Sequence, residues 1–472
     1  MKNSLDHIRE AILQKAKQEQ LPGPTVDAFL RAVTKVAEGA SGLIGESAIE
    51  PVVGLPQTEH LAVSDDRAGD LVKRLAVIKL NGGLGTGMGL AGPKSLLKVK
   101  GDQCFLDFIA QQILQFRSDF GGKLPAFYLM NSFSTQADTL SFLDKYPGIA
   151  DEDGRLDFLQ SKVPKLLADT LEPAASAEDP TVSWCPPGHG DIYPSLISSG
   201  LLESLLSRGV KYLFVSNSDN LGATVDCAIL SHFADSGAGF MMEVARRTEA
   251  DSKGGHLARR LSDGRLILRE SAQCPDDETE QFRDVNRYTY FNTNNLWIQI
   301  ERLQEELDRR DGVLELPIIK NRKTLDPRDA SSPKVLQLES AMGAAIECFE
   351  QSTAVEVPRS RFSPVKTTAD LLSLWSDAYV KTADHRLVLD ERRGGKPPTV
   401  SLDSKHYKLM NDFEQRFAAG VPSMIDCERL EVIGDVVFEA GVVLQGAVQI
   451  SNLTGEQKTL GAGIYESANI TF

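Results

Sequence analysis

Short apolar, often β-branched runs alternate with helix-period stretches between about residues 71 and 385. Residues 75–80, 126–130, 211–217, 239–244, 266–269 and 296–300 read as buried strands. Residues 105–116, 134–144 and 195–207 read as helices, and 335–349 as a further helix with small residues on one face. Such alternation predicts an α/β domain with a largely parallel sheet, whose ligands sit beyond the carboxyl ends of the strands. Asn81 and Asp219 each follow a strand end, so both belong to that edge. Residues 1–70 predict two or more amphipathic helices that pack on this domain, with Ile8, Ile12 and Leu13 on one side of the first. Residues 386–472 begin with a turn or linker around Arg392-Arg393-Gly394-Gly395-Lys396-Pro397-Pro398 and then change period. Leu430, Val436, Val442 and Val448 recur every six residues, and so do Val432, Phe438, Leu444 and Ile450. That double period predicts a short parallel β-helix, each turn burying its apolar face on the next.

Charge narrows the function. A net charge of −15 over 472 residues argues against a general binder of nucleic acid or of anionic membranes. Any site for a polyphosphate must therefore be locally basic, and lysines beside glycines matter more than the total. The six cysteines are scattered with no C-x-x-C, which argues against zinc and a disulfide framework and predicts reduced thiols. Residues 1–20 lack the apolar run of a signal peptide, and no later stretch is long enough to span a membrane. The expected location is the cytoplasm.

The densest chemical signal follows the first strand. After Asn81 come Gly82, Gly83, Gly85, Gly87, Gly89 and Gly92, then Pro93 and Lys94. A loop so poor in side chains lets a ligand lie on the backbone, where N–H groups can converge on phosphate oxygens. The P-loop pattern fails because Pro93 separates Gly92 from Lys94. A formal G-x-G-x-x-G at Gly87, Gly89 and Gly92 starts well after the strand and runs into proline, so the dinucleotide reading is weak. A plain flexible loop would favour serine with glycine over an ending in Gly-Pro-Lys-Ser. A nucleotide-cradling loop is the best reading, with Lys94 adding a point charge.

Further segments carry chemistry beside a blander reading. Gln160 is by itself an exposed polar residue, although its amide offers the donor and acceptor that one edge of uracil needs. A lone histidine is more often structural, but His189 stands between Gly188 and Gly190, which cannot shield it. Asp219 could cap the next helix, or hold Mg²⁺, which takes one or two carboxylates with phosphate oxygens and water. The Asn292-Thr293-Asn294-Asn295 cluster is by default a turn. Arg359, Arg361 and Lys366 form a charge cluster that prolines on both sides mark as a fixed loop.

Taken together, these segments carry a resemblance. Leu80-Asn81-Gly82-Gly83-Leu84-Gly85-Thr86, with Met88-Gly89 and Gly92-Pro93-Lys94-Ser95, resembles the signature of eukaryotic-type UDP-glucose pyrophosphorylases, the UTP–glucose-1-phosphate uridylyltransferases. Pro186-Pro187-Gly188-His189-Gly190-Asp191, Asn217-Ser218-Asp219-Asn220-Leu221-Gly222, Phe291-Asn292-Thr293-Asn294-Asn295-Leu296-Trp297 and the 357–366 segment follow in family order, so the likeness spans about residues 70–470. It implies a Rossmann-like, GT-A-like nucleotidyltransferase with a mixed sheet flanked by helices and a short C-terminal parallel β-helix. It also implies formation of UDP-glucose and pyrophosphate from UTP and glucose 1-phosphate. The phosphate oxygen would attack the α-phosphorus in line, with no covalent intermediate.

On this likeness Leu80, Asn81, Gly82, Gly83 and Lys94 face the nucleotide, Gln160 reads uracil and Gly188 approaches the nucleotide. Asn217 reaches ribose or sugar, Asp219 holds Mg²⁺, and Lys366 contacts the phosphates at the reacting centre. Lys94 and Lys366 are the expected catalytic cations. His189 is a positioning and charge-stabilising group on the sugar phosphate, with Asn294, Asn292 and Glu270 in the hexose pocket; the two arginines anchor their loop. A C-terminal homo-oligomeric contact is also implied, although this β-helix is short. The alternatives are a related enzyme with another or broader sugar 1-phosphate specificity, and a non-catalytic UDP-sugar binder, which should have lost Lys94, Asp219 or Lys366.

Overall fold

In the computed structural model, residues 5–122, 124–151 and 153–472 are described; Met1–Ser4 of the predicted N-terminal helix lie outside them. Strand Leu75–Asn81 is buried at every position but Leu80 and lies inside a ten-stranded sheet. Its side chains alternate between faces. Leu75 and Val77 enter a core with Phe105, Phe108 and Phe214, whereas Ala76 and Ile78 enter a second core with Tyr193, Leu196 and Leu205. Strands Ala126–Asn131 and Tyr212–Asn217 flank it in parallel, and the register sets Leu80 beside Asn217 and Asn81 beside Asn131. Three carboxyl ends thus finish level, which is the edge where ligands are expected.

The sheet is mixed, as the family resemblance implies. The largely parallel sheet expected from alternation is corrected in its other half: Tyr290–Gln299 runs antiparallel to Tyr212–Asn217 and to Phe240–Arg246, and Ile49–Pro51, His256–Arg260 and Leu266–Arg269 pair antiparallel as well. The cause is Tyr290–Gln299 itself. It is longer than the apolar run 296–300 suggested because the asparagine cluster, read as a turn, lies inside the strand. A register shift opposite Glu243/Val244 and Asn294 at φ +58° absorb the irregularity as a bulge.

Two helical readings are also corrected. Residues 195–207 form two helices, Ile192–Ser198 and Leu201–Ser207, broken at Gly200 with φ +70°. Residues 335–349 are strand Lys334–Glu339 followed by the 3₁₀ turn Met342–Glu347. The small residues there serve a different closeness: a Cβ on Gly343 would lie 2.7 Å from Asn292 Nδ2.

Helices Leu5–Gln18 and Gly23–Ala37 bury Ile8, Ile12, Phe29, Leu30 and Val33 against Val163, Leu166, Cys185 and Leu338. Leu13, expected on the same face, is exposed. The eight residues of the six-residue period are all buried. Strand Ser423–Ile433 pairs in parallel with Val442–Ser451, Leu430 beside Val448 and Val432 beside Ile450, three period steps apart. The region expected as linker is itself packed, for Tyr407, Phe413 and Phe417 join the same core as Phe438. All six cysteines are free, four of them buried. Among the described residues no helix is long and apolar enough to cross a membrane.

Candidate functional site

The glycine-rich loop closes on itself. The Lys94 N–H donates to the carbonyl of Gly83 at 3.1 Å, that of Met88 to Gly85 at 2.9 Å, and Leu84 bridges Pro93. Its glycines do different work. A side chain at Gly85 would collide with Leu90, so that glycine serves the loop's own packing. At Gly82 a Cβ would lie 2.5 Å from Gln160 Oε1, whereas nothing lies within 4 Å of one at Gly83. Gly83 therefore leaves open backbone at the sheet edge. The Asn81 side chain is committed elsewhere: its Nδ2 donates to Asn131 Oδ1 at 2.8 Å and Thr139 Oγ1 at 2.9 Å. It ties the strand end down, and the Leu80 carbonyl beside it accepts the Ser218 N–H at 3.1 Å.

Gln160 bridges two of the other segments. Its backbone N–H donates to the carbonyl of Asn131 at 2.7 Å, and Nε2 donates to the carbonyl of Gly188 at 3.0 Å. Gly188 has φ +82°, and a Cβ there would strike the Ser340 main chain, so only glycine permits the approach. Segment 187–190 is in turn clamped to Ser340, whose N–H donates to Pro187 and whose carbonyl accepts from Gly190, both at 2.9 Å. Gly82, Gln160 and Gly188 thus form one continuous wall.

His189 follows Gly188 and turns to the Met342 segment. Its Nδ1 accepts the Met342 N–H at 2.9 Å, so the ring carries its proton on Nε2. Burial pulls its pKa down to about 4. At neutral pH the ring is therefore uncharged and offers a hydrogen bond from Nε2–H. The same turn carries Gly343, which packs on Asn292; Asn292 Nδ2 donates to Asn294 Oδ1 at 2.8 Å, and the Asn294 N–H returns to Asn292 Oδ1 at 2.8 Å. Glu270 follows strand Leu266–Arg269 and lies against Gly255. Burial pushes its carboxyl up, and the nearby Lys366 ammonium pulls it down.

One pair of opposite charges meets at the strand ends. Lys94 Nζ donates to Asp219 Oδ2 at 2.6 Å, with both side chains about one-fifth exposed (21% and 22%). Asn217 ends the neighbouring strand two residues earlier. Lys366 is exposed, and its loop is brought alongside by Asn220, which bridges Pro364, accepts the Ser363 N–H at 3.0 Å and donates to the carbonyl of Arg361 at 3.0 Å. The two arginines anchor that loop. Arg361 Nε and Nη2 donate to the two Glu243 oxygens at 2.7 Å, and Arg359 pairs with Asp251 and lies 4.9 Å over the Phe291 ring. Beneath them the buried Lys79 Nζ donates to Ser216 Oγ at 2.7 Å, and burial brings its pKa down to about 7.

Lys79, Glu243, Asn220 and the Ser340–Met342 turn were missed in the sequence. Only a charge inside an apolar strand, as at Lys79 and Glu243, could have flagged the first two. Among the described residues no three His, Cys, Asp or Glu side chains cluster as a metal site. Asp219 alone fits Mg²⁺ only if phosphate oxygens and water complete the shell, which matches an ion arriving on a nucleotide.

Comparison with known proteins agrees with this geometry. The profile of the UTP–glucose-1-phosphate uridylyltransferase family matches residues 26–445. The chain is 38% identical to the UTP–glucose-1-phosphate uridylyltransferase of Solanum tuberosum, over 96% of this chain and 92% of that one. It is 36% identical to the probable enzyme of that name from Schizosaccharomyces pombe, over 95% and 88%. Among solved structures, a UDP-glucose pyrophosphorylase mutant from Leishmania major in complex with UDP-glucose superposes with a TM-score of 0.92 at 47% identity, covering 98% of this chain and 99% of that one.

Proposed function

This chain belongs to the UTP–glucose-1-phosphate uridylyltransferase family, and from that premise we propose which of its residues carry the reaction. The chain is an enzyme that makes UDP-glucose and pyrophosphate from UTP and glucose 1-phosphate. Two polyanions must meet, so charge neutralisation and positioning dominate, and no covalent intermediate is required. The observation that carries the assignment is the Lys94–Asp219 pair at 2.6 Å beside open Gly83 backbone. In the pair each charge neutralises the other. With substrate bound, Lys94 would turn to the triphosphate and Asp219 would hold Mg²⁺, which would supply charge neutralisation on the phosphates. The N–H groups of Gly82 and Gly83 face the nucleotide, and the Gln160 amide reads uracil between Gly82 and Gly188. Asn217 reaches the ribose or sugar.

The sugar phosphate enters from the His189 side. Neutral His189 donates Nε2–H to its phosphate, which is ionised already, so no proton needs to move. Asn292, Asn294 and Glu270 meet the hexose hydroxyls. Lys366, held near Glu270, brings its ammonium to the oxygen attacking the α-phosphorus. A non-catalytic binder would have no need of three such groups, and Lys94, Asp219 and Lys366 are all present. The test is a pyrophosphate-release assay with UTP, Mg²⁺ and a panel of sugar 1-phosphates. Release with glucose 1-phosphate well above that with galactose and N-acetylglucosamine 1-phosphates is expected. Equal rates across the panel would move the assignment to a broad-specificity enzyme, and no release with any sugar would end it.

A further inference from the structure

Asp191 follows the His189-Gly190 pair, is buried, and makes no ion pair among the described residues. Its Oδ2 accepts the Ser161 backbone N–H at 2.7 Å and the Ser195 hydroxyl at 2.8 Å. Thr25 Oγ1 lies 2.8 Å from Ser161 Oγ. Three segments distant in the chain therefore meet at Ser161, the residue after Gln160: the first turn of helix Gly23–Ala37 bonds its hydroxyl, and the residue two beyond His189 accepts its N–H. Burial pushes the Asp191 pKa up to about 7, against the pull of those donors.

Packing alone does not set this spacing. A cavity of about 80 Å³ remains between the helix and the loop, lined by Thr25, Phe29, Gly190, Asp191 and Ser340 among others. Close-packed interiors hold distances by contact, and here hydrogen bonds must do so. Gln160 is fixed at its backbone by Asn131, at its amide by Gly188 and at the next residue by Asp191. We infer that Asp191 and Thr25 of the N-terminal helix, which both bond Ser161, are positioning residues that set Gln160 against uracil, so that the helical N-terminus completes the nucleotide site. The inference rests on the uracil assignment of Gln160 above. Uracil is remote from the reacting phosphorus, so lost positioning appears in KM for UTP and not in kcat.

The test compares Thr25→Val, which keeps shape and loses the hydroxyl, with Thr25→Ser, which keeps the hydroxyl. Thr25→Val should raise KM for UTP about fivefold, roughly the worth of one neutral hydrogen bond, while kcat and KM for glucose 1-phosphate stay within about twofold. Thr25→Ser should restore the wild-type KM. Gln160→Ala combined with Thr25→Val should be no worse than Gln160→Ala alone, because both act through one contact. Should Thr25→Val fold poorly, Ser161→Ala removes the hydroxyl that bonds Thr25 and should move KM for UTP in the same direction. An unchanged KM for UTP, equal losses in kcat and both KM values, or full additivity with Gln160→Ala would overturn the inference. A Gln160→Ala enzyme with normal KM for UTP would instead overturn the uracil assignment, and the inference with it.

Discussion

Lys94 with Asp219 and Arg361 with Glu243 are ion pairs at 2.6 and 2.7 Å, joined through Asn220 at one end of the same sheet. Their surroundings differ. Glu243 is wholly buried, receives two guanidinium bonds, and also accepts Trp297 Nε1 and Asn295 Nδ2, each at 2.9 Å. Asp219 is partly open and its hydrogen bond to Lys94 is the side-chain contact that holds it. A saturated buried pair cannot change partners without stranding a charge in low dielectric. A half-open pair can, because water and an incoming phosphate are within reach. Equal chemistry thus yields an anchor in one place and an exchangeable charge in the other.

Four experiments bear on that contrast. Glu243→Ala should strand Arg361 and lower unfolding free energy by about 3–5 kcal/mol, read by denaturant titration; stability near wild type would make the two pairs equivalent. Lys366→Ala and Lys94→Ala should each lower kcat about a hundredfold, roughly 3 kcal/mol of transition-state stabilisation, with the thermal midpoint nearly unchanged. Near-normal turnover in either would remove that cation from the reacting centre.

His189 offers a pH-dependent check. Its pKa in the fold is about 4, below the ordinary 6.5, so between those values the unfolded chain binds a proton the native ring does not. Stability then rises with pH across that window. The contribution of His189 is fully present above 6.5 and is lost as pH falls towards 4. The stability margin of wild type over His189→Gln should accordingly shrink from pH 6.5 to pH 4, and a constant margin would refute a neutral ring. The smallest effect belongs to Arg359→Ala. Its pair with Asp251 has the arginine 43% exposed. Screening there should hold the loss to about 0–1 kcal/mol by thermal melt, and a loss as large as that of Glu243→Ala would erase the distinction between open and buried anchors.

Much of this was legible before any coordinates. The eight residues of the six-residue period all point into the β-helix, although Met424, Cys427 and Leu460 are buried beyond them, and the Gly82–Lys94 segment marked the sheet edge where Lys94 meets Asp219. The 335–349 segment misled because its alternating Val335-Leu336-Gln337-Leu338 and its small residues fit two periods at once. Only the strand pairing with Ile319–Thr324 decides between them. The asparagine cluster misled likewise, since a bulge depends on the partner strand.

What the sequence determined by itself is what depends on near neighbours: strand and β-helix periods, the bare backbone of the glycine loop, and the order of the chemical segments. Tertiary structure decided which charges are spent and which are available. His189 is neutral because a backbone N–H 153 residues away occupies Nδ1 and the fold withdraws water from the ring. Lys94 meets Asp219 across 125 residues. Steric and periodic character is a property of short stretches of chain, whereas desolvation and partner choice arise only when distant stretches share one place.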